Sequence, residues 1–332
     1  MWNTIQCAVQ GRGHVNTGTP CQDKTYIKSE NNVQIIALAD GAGSAQLSHL
    51  GAEFVTKQMC DILSNDFELY FQEKDGVAIK RKIINDLKNG LKVVALHNSC
   101  EVKDLASTLL VVAIKEEKYI IIHVGDGVIG YLKNNQLKVA SYPENGEFAN
   151  ATVFVTSDDA LTTMKILKGT VGDIEGFALM SDGTENSFFS KKDKTLAPVL
   201  KKIMDLTRIL DIQYLEKEIT KSFEEVVKKK TIDDCSLALI VKDNDFFRGY
   251  NRLTMREKVK LLTGKDAKSS KRVVRRYDEI LNYLQTPQTL TKISKKIYLK
   301  EKYTKKHIEN LQERNFVVKE DNYYRTALLL EK

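Results

Sequence analysis

Apolar residues in the first 243 positions follow two kinds of spacing. Short unbroken apolar runs, rich in β-branched residues and bounded by Gly, Asp or Asn, predict β-strands. These runs are Val33–Ala39, Thr108–Ile114, Tyr119–Val124, Val128–Leu132, Gly176–Met180 and Ser236–Val241. Apolar residues at helical spacing predict helices over Ala52–Leu63, Ile79–His97 and about residues 194–229. Because two helices follow each other between strands, strict βαβ alternation does not fit, and we predict a layered α+β fold.

Residues 271–332 have a different pattern, which predicts three short helices followed by a two-stranded hairpin. The helices are expected at Val274–Leu284, from Thr289 or Thr291 to Ile297, and at Lys302–Arg314, with hairpin strands at Phe316–Val318 and Tyr323–Leu330. This order resembles a small winged-helix domain. Residues 244–270 are polar and irregular, so we predict a linker between a domain of residues 1–243 and a domain of residues 271–332.

Composition is that of a soluble globular protein, with 42% hydrophobic and 29% charged residues. No apolar run approaches the roughly 20 residues that span a bilayer, and Met1–Gln10 lacks the basic and apolar regions of a secretory signal. The five cysteines are widely spaced and include no CxxC pair, which argues against a disulfide framework or a structural zinc site. We therefore expect a cytoplasmic protein without a membrane partner.

The net charge of +7 is unevenly distributed along the chain. Residues 1–250 contain 30 Lys and Arg against 34 Asp and Glu, whereas residues 251–332 contain 21 against 10. Lys302, Lys305 and Lys306 lie in the third helix predicted for the C-terminal region. Such a helix could contact the phosphate backbone of DNA. Winged helices also dock proteins, and a basic surface by itself does not recognise a DNA sequence. Both DNA and protein therefore stay open as partners.

The most informative residues are aspartates that lie at the ends of apolar strands, mostly beside glycine. They are Asp23, Asp40, Asp126, Asp182, Asp233 and Asp234. A strand end is a rigid mount, and an adjacent glycine lets a ligand approach the backbone closely. Carboxylates that converge at one end of a sheet repel one another unless a cation neutralises them. Hard divalent cations prefer oxygen ligands, so the pattern predicts a binuclear Mg²⁺ or Mn²⁺ site.

Together these motifs resemble the metal-dependent (type 2C) serine/threonine protein phosphatases over roughly residues 10–242. The matching motifs, in the family's order, are Gln22-Asp23, Asp40-Gly41-x-Gly43, Ala106-Ser107-Thr108, Val124-Gly125-Asp126, Ser181-Asp182-Gly183 and Asp233-Asp234-Cys235-Ser236. The opening Gly13-His14 and Cys21-Gln22-Asp23 is similar to a bacterial subset of the family. The resemblance implies a central β-sandwich flanked by helices, and hydrolysis of phosphoserine or phosphothreonine by a metal-activated water.

The resemblance also implies a role for each matching residue. Asp40 would bridge two metals, Asp182 and Asp233 would bind one of them, and the Gly41 carbonyl the other. Asp126 matches the position that helps to hold a third, weaker metal. Asp23 would accept a hydrogen bond from metal-bound water, and Asp234, where an asparagine is usual, would lie behind the ligands.

Three positions depart from the better-known members of the family. Gln22 stands where a metal-binding glutamate is common, so it is expected to hold one metal less tightly. Ala42 stands where some members carry a histidine general acid. Gly18 stands where an arginine usually grips the substrate phosphate. Arg12 or His14 could take over that task, although a solvated loop charge and a capping role are equally compatible with these two residues.

Two functions follow from this pattern. The first is a protein phosphatase that reverses the action of a partner kinase, on the kinase itself or on its target. The second is a weakly active or inactive phosphatase-like sensor whose output is binding of DNA or protein by the C-terminal domain. The three departures favour the sensor, whereas the clustered aspartates favour the enzyme, since a site without a cation has no use for costly like charges.

Overall fold

The computed structural model describes residues 2–143, 152–208, 210–243, 250, 253–263 and 271–328. The chain forms two compact units. The first comprises Met1–Met204 and Glu216–Lys242, and the second comprises Asp205–Leu215 and Asp243–Lys332. The second unit thus includes a segment from inside the predicted domain of residues 1–243, whose boundaries stay a prediction.

Strands of the first unit form two five-stranded antiparallel sheets and one short pair. They are β1 (Trp2–Val9), β2 (Lys24–Glu30), β3 (Val33–Ala39), β4 (Leu109–Lys115), β5 (Lys118–Val124), β6 (Val128–Lys133), β7 (Gln136–Ser141), β8 (Lys165–Thr170), β9 (Ile174–Met180), β10 (Phe189–Ser190), β11 (Thr195–Leu196) and β12 (Cys235–Lys242). One sheet has the order β1-β12-β9-β6-β7, the other β2-β3-β4-β5-β8, and β10 pairs with β11.

The two large sheets pack face to face, and β3 shows why its sequence is apolar at every position. Ile36 and Leu38 point into the core between the sheets, where they join Phe177 of the opposite sheet. Ile35 and Ala37 point the other way, into a second core beneath the helices. Because side chains alternate along a strand, a strand buried on both faces reads as a continuous apolar run. The predicted α+β fold with a central β-sandwich is confirmed.

The first unit also contains helices. They are α1 (Arg12–Thr17), α2 (Ser48–Gln72), α3 (Gly76–His97), α4 (Ala160–Thr163) and α5 (Glu185–Phe188), whereas α6 (Pro198–Thr207) and α7 (Ile212–Ser222) each contain residues of both units. Helices α2 and α3 bury their apolar stripes, including Leu63 and Leu87, against the outer face of the second sheet. No helix among the described residues is long and apolar enough to cross a membrane.

The helix predicted over about residues 194–229 is wrong as a continuous element. Its first residues form β11, and the rest is divided into α6 and α7, followed by Phe223–Val227 and Lys228–Lys230 in other helical forms. The side chain of Asp211 accepts a hydrogen bond of 2.9 Å from the Tyr214 N–H. Such a side-chain cap satisfies the first orphan donors of a helix, so a new helix begins here.

The second unit contains two helices, a short strand, two further helices and a hairpin in sequence. The elements are α8 (Met255–Thr263), α9 (Lys271–Tyr283), β13 (Gln288–Thr289), α10 (Leu290–Lys296), α11 (Glu301–Gln312), β14 (Val317–Glu320) and β15 (Tyr323–Thr326). The three strands form a sheet of order β13-β15-β14. Helix α8 falls within the predicted linker. This order agrees with the helices and hairpin expected, and a winged-helix identity stays a prediction.

One end of the sandwich collects the strand ends that carry the aspartates. Register pairs Leu38 of β3 with Leu110 of β4, and Leu109 of β4 with Val124 of β5, so β3 and β5 end together where β4 begins. In the other sheet, Met180 at the end of β9 pairs with Leu237 near the start of β12. The fold thus directs the residues after β3, β5 and β9 to the same end of the sandwich.

Candidate active site

Asp40 is the first residue after β3, and its backbone is fixed from β4. The Asp40 N–H donates to Thr108 Oγ1 at 2.8 Å, and the Thr108 N–H donates back to the Asp40 carbonyl at 2.8 Å. The next residue, Gly41, donates to the Gln22 carbonyl at 3.2 Å. A Cβ at Gly41 would lie 2.8 Å from the Ser48 side chain, so only glycine fits between these segments. Thr108 is therefore a structural residue that positions Asp40.

Asp40 and Asp182 bring their carboxyl groups within hydrogen-bonding reach of each other. Burial, followed by the charges of Asp23 and Asp182, holds the pKa of Asp40 well above its ordinary value. Burial and the charge of Asp126 raise the pKa of Asp182 to about 6. Two carboxyl groups this close share a proton unless a cation replaces it. The structure thus brings the sequence-predicted aspartates into one electrostatic cluster.

Asp23 lies beneath this cluster and is 1% exposed. Burial raises its pKa to about 7, although the nearby hydroxyls of Ser236 and Ser181 oppose the shift. Neither carboxylate oxygen makes a hydrogen bond of good geometry with any residue that the structure describes. Its neighbour Gln22 is 2% exposed, and its Oε1 is likewise without a partner among those residues. Unpaired buried oxygens of this kind are costly unless a ligand satisfies them.

Asp126 and Asp233 lie at the more open side of the cluster. Asp126, in the turn between β5 and β6, accepts a hydrogen bond of 2.5 Å from the Thr152 hydroxyl. Asp233 is exposed, and its Oδ1 accepts from the Asp234 N–H at 2.9 Å. The charges of both raise the pKa of Asp182. Asp126 and Asp233 therefore belong to the same electrostatic cluster as Asp182.

Asp234 fastens the N-terminal segment to the start of β12. It is 1% exposed, and its Oδ1 accepts from the Gly11 N–H at 2.6 Å. Its Oδ2 accepts from the Gln22 N–H at 2.5 Å, and its Oδ1 also lies 2.9 Å from His14 Nδ1. Because charge-assisted bonds of this length are strong, Asp234 fixes the backbone of Gln22.

Arg12 and His14, the two candidate phosphate ligands, each have a protein partner. Arg12 is exposed, and its Nε donates to the Thr231 carbonyl at 3.0 Å, while His14 lies against Asp234. Gly18 ends α1 with φ of 70°, a left-handed conformation that L-residues rarely adopt. An arginine at position 18 would therefore be strained in this loop.

Two charged residues beside the cluster were not found from sequence. Glu185 begins α5, three residues after Asp182, and its Oε1 is buried without a hydrogen-bond partner among the described residues. Its Oε2 lies 2.7 Å from Lys191 Nζ. The hydrogen bond to Glu185 raises the pKa of Lys191, and the charges of Asp182 and Asp126 add to this shift. An acidic residue in the first helical turn after a strand-end aspartate is the one sequence signal that could have indicated Glu185.

The oxygen donors of the cluster fit a hard divalent cation. The buried Oδ1 of Asp182, both oxygens of Asp23 and the Oε1 of Gln22 lack protein partners among the described residues, and like charges oppose one another without a counter-ion. Within the described ranges, no three Asp, Glu, His or Cys side chains are close enough to enclose an ion by themselves. Mg²⁺ usually keeps several waters and takes few protein ligands, so this open arrangement suits it better than it suits an ion bound in a closed protein cage.

A comparison with protein-family models decides the family. The model described as "Protein phosphatase 2C" matches residues 10–224. The chain belongs to the protein phosphatase 2C family. Metal-dependent dephosphorylation of protein serine and threonine residues follows as its class of reaction.

Individual relatives agree with the protein phosphatase 2C assignment. The chain is 24% identical over 255 residues to serine/threonine-protein phosphatase 3 of Escherichia coli (strain K12), which covers 72% of this chain and 97% of the relative. A bacterial serine phosphatase of known structure superposes with a TM-score of 0.53 at 16% identity, over 74% of this chain and 99% of the other. Phosphatase Stp1 from Staphylococcus aureus superposes with a TM-score of 0.52 at 16% identity, over 74% and 96%. These two superpositions support the shared fold.

Proposed function

We propose that this chain hydrolyses phosphoserine and phosphothreonine in a protein substrate at the cluster around Asp40 and Asp182. The observation that carries the proposal is the convergence of buried carboxylates whose oxygens lack protein partners, in a chain of the phosphatase 2C family. The alternative that the sequence left open, a phosphatase-like sensor without activity, gains no support from the comparisons with known proteins.

Two Mg²⁺ or Mn²⁺ ions would lie at this cluster, with a third, weaker ion near Asp126. Asp40 would contact both principal ions, Asp182 and Asp233 one of them, and the Gly41 carbonyl the other. Bound divalent ions lower the pKa of water and neutralise charge on phosphoryl oxygens. Gln22 would offer a neutral amide oxygen where relatives commonly have a charged glutamate, so one of the ions should be held weakly.

The protein's own groups have three tasks in this proposal. Asp23, anchored beside β2 and buried, accepts a proton or hydrogen bond from the attacking water, since its ordinary ionised form is destabilised there. The strand ends fix the carboxylates in place before substrate arrives, which avoids reorganisation in the transition state. Arg12 and His14, in α1, are the proposed contacts to the substrate phosphate.

The substrate is proposed to be a partner kinase or the target of that kinase, because a protein phosphatase requires a protein that has been phosphorylated. The second unit is proposed to be a winged-helix-like docking module. Its helix α11 presents Lys302, Lys305 and Lys306 to solvent. Phosphate groups of DNA or acidic groups of a protein both complement such a surface.

The experiment that tests the activity is hydrolysis of a chromogenic phosphate ester by the full chain. Activity should appear with Mn²⁺ or Mg²⁺, disappear in excess chelator and return when the ion is restored. Phosphoserine and phosphothreonine peptides should then be hydrolysed and compared with a phosphotyrosine peptide. Equal hydrolysis with and without chelator would contradict the metal-dependent mechanism.

A further inference from the structure

A cavity of about 520 Å³ opens beside the loop that carries Asp40. Its floor is a small apolar cluster formed by Ala42, Ala45, Ala106 and the half-buried Phe154. This cluster is separate from the two main cores of the sandwich. Ala42, two residues after Asp40, contributes only a methyl group to this floor and so leaves room for a ligand.

Backbone hydrogen bonds tie the walls of this cavity together. The Ala42 N–H donates to the Ala106 carbonyl at 2.9 Å, and the Val155 N–H donates to the Ser107 carbonyl at 2.8 Å. The turn that carries Phe154 is closed by its own N–H, which donates to Ser157 Oγ at 3.0 Å. A cavity whose walls are fixed in this way is formed before any ligand binds, so little ordering entropy opposes binding.

The rim of the cavity is acidic. Lys103 lies on it, but its Nζ is 2.8 Å from a carboxylate oxygen of Glu101. Asp104 also lies on the rim, and its Oδ2 accepts from the Glu101 N–H at 2.9 Å. Asp158 is exposed, and its side chain makes no ion pair or hydrogen bond with any residue in the described part of the chain. The residues that line the cavity therefore include two carboxylates, and the one lysine among them is paired with Glu101.

We propose that this cavity binds a lysine or arginine side chain of the phosphoprotein substrate, near its phosphorylated residue. The inference rests on the proposed phosphatase function and names a feature of its substrate. Ala42 is two residues from Asp40, so their Cα atoms are at most about 7 Å apart, and a substrate residue one or two positions from the phosphoserine would reach the cavity. The aliphatic stem would cover the apolar floor while the charged head meets Asp158.

An acidic side chain at the same substrate position is disfavoured by repulsion from Asp158 and Asp104. A leucine would use the floor and leave the rim carboxylates solvated. The order of preference expected from the structure is therefore basic, then apolar, then acidic. This order separates an acidic-rimmed cavity from a purely apolar one.

The test uses the full chain with Mn²⁺ and phosphoserine peptides that carry Arg, Leu or Glu one or two positions from the phosphoserine. The KM of the Arg peptide should be roughly fivefold below that of the Leu peptide, the size of a partly exposed ion pair. Asp158→Asn should abolish this difference and leave hydrolysis of a small phosphate ester unchanged. Asp159→Asn, the adjacent carboxylate outside the cavity, should retain the difference.

Equal KM values for the three peptides, or a preference for Leu that Asp158→Asn does not change, would overturn the proposal. A wild-type chain that fails to hydrolyse even the small ester would instead contradict the proposed activity. In that case the cavity is tested by binding alone, through fluorescence anisotropy of the labelled Arg and Glu peptides in chelator. Tighter binding of the Arg peptide that Asp158→Asn removes would support the cavity's role, and indistinguishable binding would refute it.

Discussion

The functional candidates in the two units differ in charge and in burial: they are clustered carboxylates in the first unit and solvent-exposed lysines in the second. In the first unit the clustered aspartates other than Asp233 are buried or half-buried, and Asp23 is 1% exposed. In the second unit Lys302, Lys305 and Lys306 are exposed on α11, and only Lys305 has an acidic partner among the described residues, Glu309 at 3.8 Å. Buried like charges are costly, whereas water screens exposed ones.

This difference determines how much each charge pattern says about function. The buried cluster would destabilise the fold without a counter-ion, so its presence is itself evidence for a bound cation. The exposed lysines cost little free energy on a solvated surface, so their presence alone does not require an anionic partner. The first pattern therefore supports a specific chemistry, while the second needs a binding measurement.

Replacing Asp182 tests the buried cluster with the largest expected effect. Asp182→Asn removes a charged oxygen from the cation site, and the rate of ester hydrolysis should fall roughly 10³-fold, as expected when several kcal/mol of transition-state stabilisation are lost. The fold should persist, because the substitution also relieves repulsion among the carboxylates. Circular dichroism provides the control for folding. A variant with near wild-type activity in Mn²⁺ would contradict the assignment.

The exposed lysines are tested by DNA binding of the full chain at several salt concentrations. If α11 contacts phosphate groups, replacing Lys302, Lys305 and Lys306 by Gln should weaken duplex binding by up to about 10²-fold. The slope of log affinity against log salt concentration should also become shallower, by up to about three, because up to three phosphate contacts are lost. A matched control replaces the exposed Lys74, Lys92 and Lys192 of the first unit. The DNA interpretation requires some binding at low salt. Its complete absence would leave protein docking as the role of this surface.

The metal-free protein should be less stable at pH 8 than at pH 5.5. The pKa values of Asp23, about 7, and Asp182, about 6, are above those of unfolded chains. Between these values and about pH 4 the folded state binds more protons than the unfolded state, so the free energy of unfolding falls as pH rises.

This loss of stability between pH 5.5 and pH 8 should reach about a few kcal/mol and lower the Tm in chelator by several degrees. Saturating Mn²⁺ should make the Tm depend less on pH. Asp23→Asn should remove the part of the pH dependence that comes from ionisation of Asp23. A Tm in chelator that rises with pH would show that the cluster does not control stability.

The six strands predicted from sequence are β3, β4, β5, β6, β9 and β12, which occupy the interior of the two sheets. The strands of the two five-stranded sheets that sequence missed, β1, β2, β7 and β8, are the four edges of these sheets. An interior strand is buried on both faces and reads as an apolar run, whereas an edge strand such as Lys24–Glu30 is half solvated and mixes polar with apolar residues. The missed strands therefore follow from their place in the sheet.

The site divides in the same way. The aspartates could be found because each is local to a strand end, where the sequence pattern changes. The ion pair of Glu185 with Lys191 and the cavity between Ala42 and Phe154 could not be found, because they depend on residues brought together by the fold over six to more than a hundred positions. Local pattern predicts where a carboxylate is mounted, but only the tertiary structure shows what faces it.

The smallest expected effect concerns Gln22, the neutral member of the buried cluster. Its backbone is fixed by Asp234, and its unpaired Oε1 is buried. Gln22→Glu would therefore add one more negative charge to the buried cluster of carboxylates. With Mn²⁺ the added charged oxygen should lower the ion concentration for half-maximal activity by up to about tenfold. In chelator the same charge should lower the Tm, because it adds to the repulsion. A gain in metal affinity together with a loss of Tm in chelator distinguishes a residue that faces the cation from one that is merely buried.

Gln22→Ala is the control for Gln22→Glu, and it should raise the Mn²⁺ concentration that gives half-maximal activity. An unchanged metal titration in Gln22→Glu, with a lowered Tm, would show that Gln22 lies in the cluster without contacting the ion.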